Sequence, residues 1–427
     1  MHGAQPDPRH DPQGFLRALF DAAVAAADPL RVGPPHLPPR SKGRLVVIGA
    51  GKASARMAEA VEAHYGPCEG LVITRYGHAR PTRGIEIVEA GHPVPDAAGV
   101  AATERMLRLV SGLGPDDLVL ALISGGGSAL LCAPAAGLTL ADKMAVTRAL
   151  LDCGAPIDQI NTVRKHLSRV KGGQLAAACH PARVLGLMIS DVPGDDPAVI
   201  ASGPLSSERS TPDEALAILD RHGLDLPEAV RSALMRRSSV VPPGDPRLTN
   251  VQTRIIAAPS RSLQAAADLA RRAGCELRLL GDDLQGEARE LGAEQARMAL
   301  SLLPRVRADG RPLVILSGGE CTVTRRGDGI GGPNAEFALA AALALDGVPG
   351  IHVIACDTDG VDGAAEIAGA IAGPETLPRA RAAGIDPGTA LARNDAHGFF
   401  GAIGGQVVTG PTLTNVNDFR AVLVVPG

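Results

Sequence analysis

The chain has almost no aromatic residues. Its 427 positions include no Trp, two Tyr and six Phe, an aromatic share of 2%. That scarcity argues against the stacking platforms on which single-stranded nucleic acid lies. It also means that the core is built from Ala, Leu, Val and Ile. A basic excess is missing too: 42 Lys and Arg stand against 46 Asp and Glu, for a formal charge of −4. No nucleic acid and no anionic membrane is expected as a partner. The seven cysteines, at 68, 132, 153, 179, 275, 321 and 356, form no Cys-x-x-Cys pair, and their number is odd. A disulfide framework or structural zinc is therefore not expected, and a reducing cytoplasm fits. No apolar run approaches the roughly 18 residues that cross a bilayer. The opening MHGAQPDPRHDP is polar and broken by proline, unlike a signal peptide.

What is present is length and apolar content. A chain of 427 residues, 45% of them hydrophobic, predicts two domains, each with its own core. Residues 13–28 read as a helix, with Phe15, Leu16, Leu19 and Phe20 at helical spacing. Short apolar strands then alternate with helical segments: Leu45–Ile48, Leu71–Thr74, Leu118–Ile123 and a strand opening at Val184. This alternation predicts βαβ units and a mostly parallel sheet, hence the α/β class. The stretch SSVVPPGDPR has two prolines and a Gly-Asp-Pro without periodicity, so 238–249 reads as a linker between domains at 1–240 and 250–427. Beyond it, strands are expected at Thr253–Ala258, Leu277–Leu280, Leu313–Ser317, Gly350–Cys356 and Ala421–Val425.

In open α/β sheets, ligands bind beyond the carboxyl ends of strands, and the distinctive residues lie at such ends. Gly49-Ala50-Gly51-Lys52-Ala53-Ser54 joins a strand to a helix. Helix-start amides attract phosphate, and Lys52 adds a mobile positive charge. A dinucleotide fingerprint would need a third glycine, and Ser54 stands there. Arg75 follows the second strand and suits a 2′-phosphate. In LISGGGSALL, Gly125, Gly126 and Gly127 lie between Ser124 and Ser128. Consecutive glycine amides can form an anion nest, and flanking hydroxyls can donate to the same ligand. Asp191, in SDVPGDD, ends a strand, where it can bind Mg²⁺ or accept a hydroxyl proton, or cap the next helix. In NTVRKHLSRVKGG, Asn161 or Thr162 caps a helix. Arg164, Lys165, Ser168 and Lys171 then lie near one another on it, as a cationic face for carboxylate or phosphate. Ser317-Gly318-Gly319-Glu320 repeats the strand-end pattern. DTDGVDG places Asp357, Asp359 and Asp362 in a turn that binds metal or hydroxyl, or forms Asx-turns. His397 reads as a packed or capping histidine.

In this order, GAGKAS, LISGGGSALL, NTVRKHLSRVKGG, ISDVPGDD, ASGP, LSGGECTVT, DTDGVDG and TGPTLTNVND resemble the glycerate 2-kinase family, whose C-terminal region is the MOFRL domain. They run from Gly49 to Asp418. The resemblance implies a Rossmann-like, mostly parallel α/β/α N-terminal domain, a mixed-sheet α/β C-terminal domain, and an active cleft between them. It implies ATP-dependent phosphorylation of D-glycerate at its 2-hydroxyl, with Mg²⁺. Lys52 and Asp191 correspond to family catalytic positions. The phosphates of ATP would be held by Gly49, Gly51, Ser124, Gly125, Gly126, Gly127, Ser128, Ser317, Gly318 and Gly319. Glycerate would be held by Arg164, Lys165 and Lys171, and the metal by Asp191 and Glu320. A homodimer is permitted. An NAD(P)H-dependent hydroxypyruvate reductase is the alternative reading. One departure stands out: where the family often reads GGRNQE, this chain has Gly331-Gly332-Pro333-Asn334-Ala335-Glu336. The proline removes a guanidinium and a backbone donor, and Arg325 and Arg326 are the nearby replacements.

Overall fold

The computed structural model describes residues 6–224, 226–236 and 239–426. The chain forms two compact units: Pro29–Ile256, and Met1–Asp28 together with Ala257–Gly427. The division differs from one at 238–249 in two places. The first helix, Pro12–Ala26, places Phe15, Leu16, Leu19, Phe20 and Ala23 in one core with Leu263, Ala266, Ala270 and Phe419 of the second unit. The rings of Phe20 and Phe419 lie 5.9 Å apart. The strand Val251–Ala257, in turn, completes the sheet of the 29–256 unit. Apolar burial, at roughly 25 cal/mol per Å², outweighs the proline signal in assigning both segments.

The 29–256 unit is built on β1 (Leu45–Ala50), β2 (Glu69–Arg75), β3 (Ile85–Ala90), β4 (Leu118–Ser124), β5 (Arg183–Ile189) and β6 (Val251–Ala257). Their spatial order is β3-β2-β1-β4-β5-β6, and β3, β2, β1, β4 and β5 run parallel. β4 is buried along its whole length, as expected of a strand covered on both faces. The chain fills one half of this sheet outward from β1 and the other outward from β4. The topological switch point therefore lies between β1 and β4, at their carboxyl ends, where open α/β sheets hold ligands.

The second unit adds β7 (Glu276–Leu279), β8 (Leu284–Glu287), β9 (Leu313–Thr322), β10 (Ile351–Asp357), β11 (Gly369–Ala372), β12 (Gln406–Val407) and β13 (Asp418–Val424). Their order is β12-β11-β10-β13-β9-β7, with β8 also paired to β9. β7 and β8 run parallel to β9, whereas β9–β13, β13–β10, β10–β11 and β11–β12 are antiparallel. The sheet is mixed, as the resemblance implied. No helix among the described residues is long and apolar enough to cross a membrane.

Candidate functional site

Register places several motifs on one edge of the first sheet. Ala50 pairs with Ile123, and Ser124 with Ile189. The turn at Gly51, the loop at Gly125 and the segment Ser190-Asp191 thus leave the sheet side by side. Their contacts separate packing residues from those left to face a ligand.

The Gly49–Ser54 turn is bonded inward. The amide of Gly51 donates to the Ile73 carbonyl at 3.1 Å, that of Lys52 to the Gly125 carbonyl at 2.8 Å, and that of Ser54 to the Gly51 carbonyl at 3.2 Å. The Ala53 amide donates to Ser124 Oγ at 3.0 Å. Ser54 Oγ donates to the Leu122 carbonyl at 2.9 Å. These are the amides that a phosphate cradle would need, and all four are spent on the protein. The glycines have steric reasons: a Cβ at Gly49 would stand 2.4 Å from the Leu122 carbonyl oxygen, and one at Gly51 2.1 Å from Ser124 Oγ. Ser124 is fully buried, and its hydroxyl accepts within this turn.

The triple glycine is partly a packing device as well. Gly126 has φ +81°, and a Cβ there would lie 3.1 Å from the His92 ring and 3.2 Å from Lys52 Cγ. The loop thus runs against the stem of Lys52. A Cβ at Gly127 would be 2.7 Å from the Ala201 Cβ. Ala201, Ser202 and Gly203 are all left-handed, with φ of 53°, 63° and 62°. Such backbone costs L-residues energy and clusters at functional sites. Ser202 Oγ and Ser128 Oγ are hydrogen-bonded at 2.8 Å.

The basic motif departs from the expected single helix. The helix spans Ile157–His166 and stops. Ser168 instead bridges antiparallel to Pro134, with the Arg169 amide donating to the Ala133 carbonyl at 3.0 Å. Arg164 stays on the helix. Lys165 is ion-paired with Glu208. Burial opposes ionisation of Glu208, but the Lys165 hydrogen bond and charge hold its carboxyl below the usual value. Lys171 lies beyond the helix, 1% exposed, and its Nζ donates to the Ser128 carbonyl at 2.8 Å. The arrangement also brings in Lys143, a residue that the motif reading missed. It sits on the buried face of the helix Leu140–Asp152 with Val146 and Leu150. Burial, then the charge of Lys143 among others, pushes the Lys171 amine well below its ordinary range; burial and Arg164 push Lys143 down. Burial also lowers Arg164. The sequence did carry a signal for Lys143: a lysine in register with an apolar stripe.

In the second unit the expected strand end is absent. β9 runs on through Ser317-Gly318-Gly319-Glu320 to Thr322. Ser317 is buried and exchanges hydrogen bonds with the Gln295 amide at 3.0 and 3.2 Å. Gly319, at φ +114°, would put a Cβ 2.2 Å from the Leu284 carbonyl oxygen of β8. This serine and glycine are packing residues of the sheet, because strands close in on both sides of β9. Glu320 is exposed on the strand. DTDGVDG forms Asx-turns: Asp357 Oδ1 accepts from the Asp359 amide at 2.9 Å, and Asp359 Oδ1 from the Val361 amide at 2.8 Å. Asp362 caps the helix Pro333–Leu345, accepting from the amides of Asn334 at 2.9 Å and Ala335 at 2.8 Å. Pro333 is the first residue of that helix, where a missing amide costs nothing. His397 is buried, its Nε2 3.0 Å from Asp362 Oδ2, which fits the packed reading. Asp418 accepts from Asn334 Nδ2 and from Arg420 Nη2, each at 2.7 Å. Among the described residues, no group of three or more His, Cys, Asp or Glu side chains is arranged to hold a metal ion.

Comparison with known proteins matches both halves of the chain. A family described as a domain of unknown function, DUF4147, matches residues 15–235, and the MOFRL family matches 313–418. The chain is similar to the D-glycerate 2-kinase of Thermotoga maritima, 40% identical over 425 residues, 97% of this chain and 100% of that protein. It is also similar to an Agrobacterium vitis protein provisionally named hydroxypyruvate reductase, 52% identical over 413 residues, 96% of this chain and 94% of that one. The crystal structure of Thermotoga maritima glycerate kinase superposes with a TM-score of 0.85 at 38% identity, covering 96% of this chain and 98% of that one.

Proposed function

This chain belongs to the glycerate 2-kinase family, and we infer that it phosphorylates D-glycerate at its 2-hydroxyl with ATP as the donor. The relatives carry two names, kinase and reductase. The observation that decides between them is the Gly51–Ser54 turn, whose four amides are bonded to the protein itself. A dinucleotide's pyrophosphate needs that turn open, and it needs a third glycine where Ser54 binds β4. Phosphoryl transfer asks instead for positioned cations and an acceptor for one proton.

In the proposed reaction, the glycerate 2-hydroxyl oxygen bonds to the γ-phosphorus as the bond from that phosphorus to the ADP oxygen breaks. The hydroxyl proton passes to Asp191. Lys52, beside Gly126, neutralises charge on the transferred phosphoryl group. The loop Gly125–Ser128 faces the nucleotide, and Arg164 and Lys171 face the substrate carboxylate. Mg²⁺ keeps most of its waters and needs only one or two protein carboxylates alongside phosphate oxygens. That demand suits a chain without a three-ligand cage among the described residues, and Glu320, or Asp191 where it does not take the proton, is the proposed ligand. A bound Mg²⁺ would supply charge neutralisation at the phosphates.

Phosphorus NMR of the protein with ATP, Mg²⁺ and D-glycerate, each omitted in turn, tests the reading. The expected product is the 2-phosphoglycerate monoester, formed only in the complete mixture. A 3-phosphoglycerate signal would overturn the placement of the substrate. No ester, with oxidation of NADPH by hydroxypyruvate instead, would establish the reductase.

A further inference from the structure

Three cations from separate parts of the 29–256 unit lie close enough to act on one another, with the two lysines buried and the arginine half-buried. Lys143 comes from the helix Leu140–Asp152, Arg164 from the helix Ile157–His166, and Lys171 from the turn beyond it. Lys143 is 7% exposed and Lys171 1%. Among the described residues none of the three forms an ion pair. The carboxylate close by, Glu208, is taken by Lys165. Lys171 spends one of its three donors on the Ser128 carbonyl. Cys132 lies near both lysines and works against the lowering, but less than burial works for it. Buried cations without a partner are costly. A cluster of them is a site whose counter-charge arrives from outside.

We propose that Lys143, Arg164 and Lys171 together form the seat of the substrate's carboxylate, with Lys143 as the specificity-determining member and Lys165 excluded. The assignment rests on the kinase reading. It extends that reading to a residue outside the basic motif, Lys143, and to a proton taken up on binding. In the free protein, burial and mutual repulsion hold Lys143 and Lys171 below the ordinary lysine value. A carboxylate placed among them raises both, so binding at alkaline pH draws protons from the buffer.

Titration calorimetry of D-glycerate into the full chain, with a non-hydrolysable ATP analogue present, reads this directly. Run at a series of pH values from neutral to alkaline, each in two zwitterionic buffers of different ionisation enthalpy, it should show net proton uptake by the wild-type protein that grows toward alkaline pH. Lys143→Met should weaken glycerate binding about tenfold or more, the loss of one hydrogen bond to a charged group. It should also reduce proton uptake and leave affinity for the analogue unchanged. Lys143→Arg should restore binding with less uptake, because a guanidinium stays charged. Glycerate binding in Lys143→Met equal to wild type, or loss of analogue binding instead, would overturn the proposal, the latter by assigning the cluster to phosphate. So would wild-type binding with no proton uptake at any pH of the series, whatever the folding of the variants. A wild-type protein that binds glycerate with proton uptake yet makes no phosphate ester would keep the site and refute the kinase.

Discussion

Replacing Ser124 with alanine separates two roles that a serine in a glycine-rich loop can have. Its Oγ accepts the amide of Ala53, the residue that opens the helix Ser54–Tyr65, at 3.0 Å, and lies 3.4 Å from Ser54 Oγ. Removing it strands a buried amide, at about 1–3 kcal/mol. That overlaps the range of about 0.5–2 kcal/mol for losing a helix cap. For a unit of some 230 residues each kcal/mol is worth about 2–4 °C, so the melting transition should fall by about 2–12 °C. The Michaelis constant for ATP should change by less than about twofold, because the Lys52 amide keeps its bond to the Gly125 carbonyl and holds the turn on the loop. Thermal unfolding followed by circular dichroism, together with steady-state kinetics at varied ATP, measures both. A melt within 1 °C of wild type with a several-fold rise in that constant would refute the reasoning and return Ser124 to the nucleotide.

Two further substitutions probe backbone and charge. Ala201→Gly should stabilise the 29–256 unit by about 0.5–1 kcal/mol, since it releases a left-handed alanine at φ 53° against a smaller entropic loss; it should also rescue part of the destabilisation by Gly127→Ala, whose new Cβ would stand 2.7 Å from Ala201, and strictly additive effects in denaturant melts would contradict that contact. Asp418→Asn removes the carboxylate facing the fully buried Arg420 and should cost about 3–5 kcal/mol, so an unfolding midpoint like that of wild type would show that Arg420 draws its compensation from the Gly318 carbonyl and the Phe337 ring instead.

The strands were legible because each is a short apolar run, and the α/β class follows from their spacing; the end of β9 was not, because it runs on through Ser317-Gly318-Gly319-Glu320 to Thr322. Less was legible wherever the deciding contact is distant in sequence. The basic motif has helical spacing from Asn161 to Lys171, but its helix ends at His166 because Ser168 pairs with Pro134 on another loop. β3 escaped detection because Ile85-Glu86-Ile87-Val88-Glu89-Ala90 carries two glutamates at the rim of the sheet, where only β2 covers it. The first helix looked like part of the domain that follows it in sequence. Its apolar face instead matches Phe419, almost 400 residues away, and no local pattern carries that information.

Glycine strings show the same ambiguity most sharply. Gly49-Ala50-Gly51, Gly125-Gly126-Gly127 and Gly318-Gly319 all follow apolar strand residues, and each reads as a ligand loop. Their sequence cannot separate a backbone approached by a ligand from one approached by another strand, because both demand the missing Cβ. The amides make the distinction. At Gly51 and Lys52 they are bonded to neighbouring strands and loops, and Gly319 is pressed against β8. The 125–128 loop differs in its surroundings: Lys52 borders it through Gly126, and Lys171 binds it through Ser128. At Gly318 the guanidinium of Arg420 approaches too, but it is paired with Asp418, whereas Lys171 at the 125–128 loop has no ion-pair partner among the described residues; that difference, not the glycine count, supports the proposal that an anionic substrate belongs at the 125–128 loop.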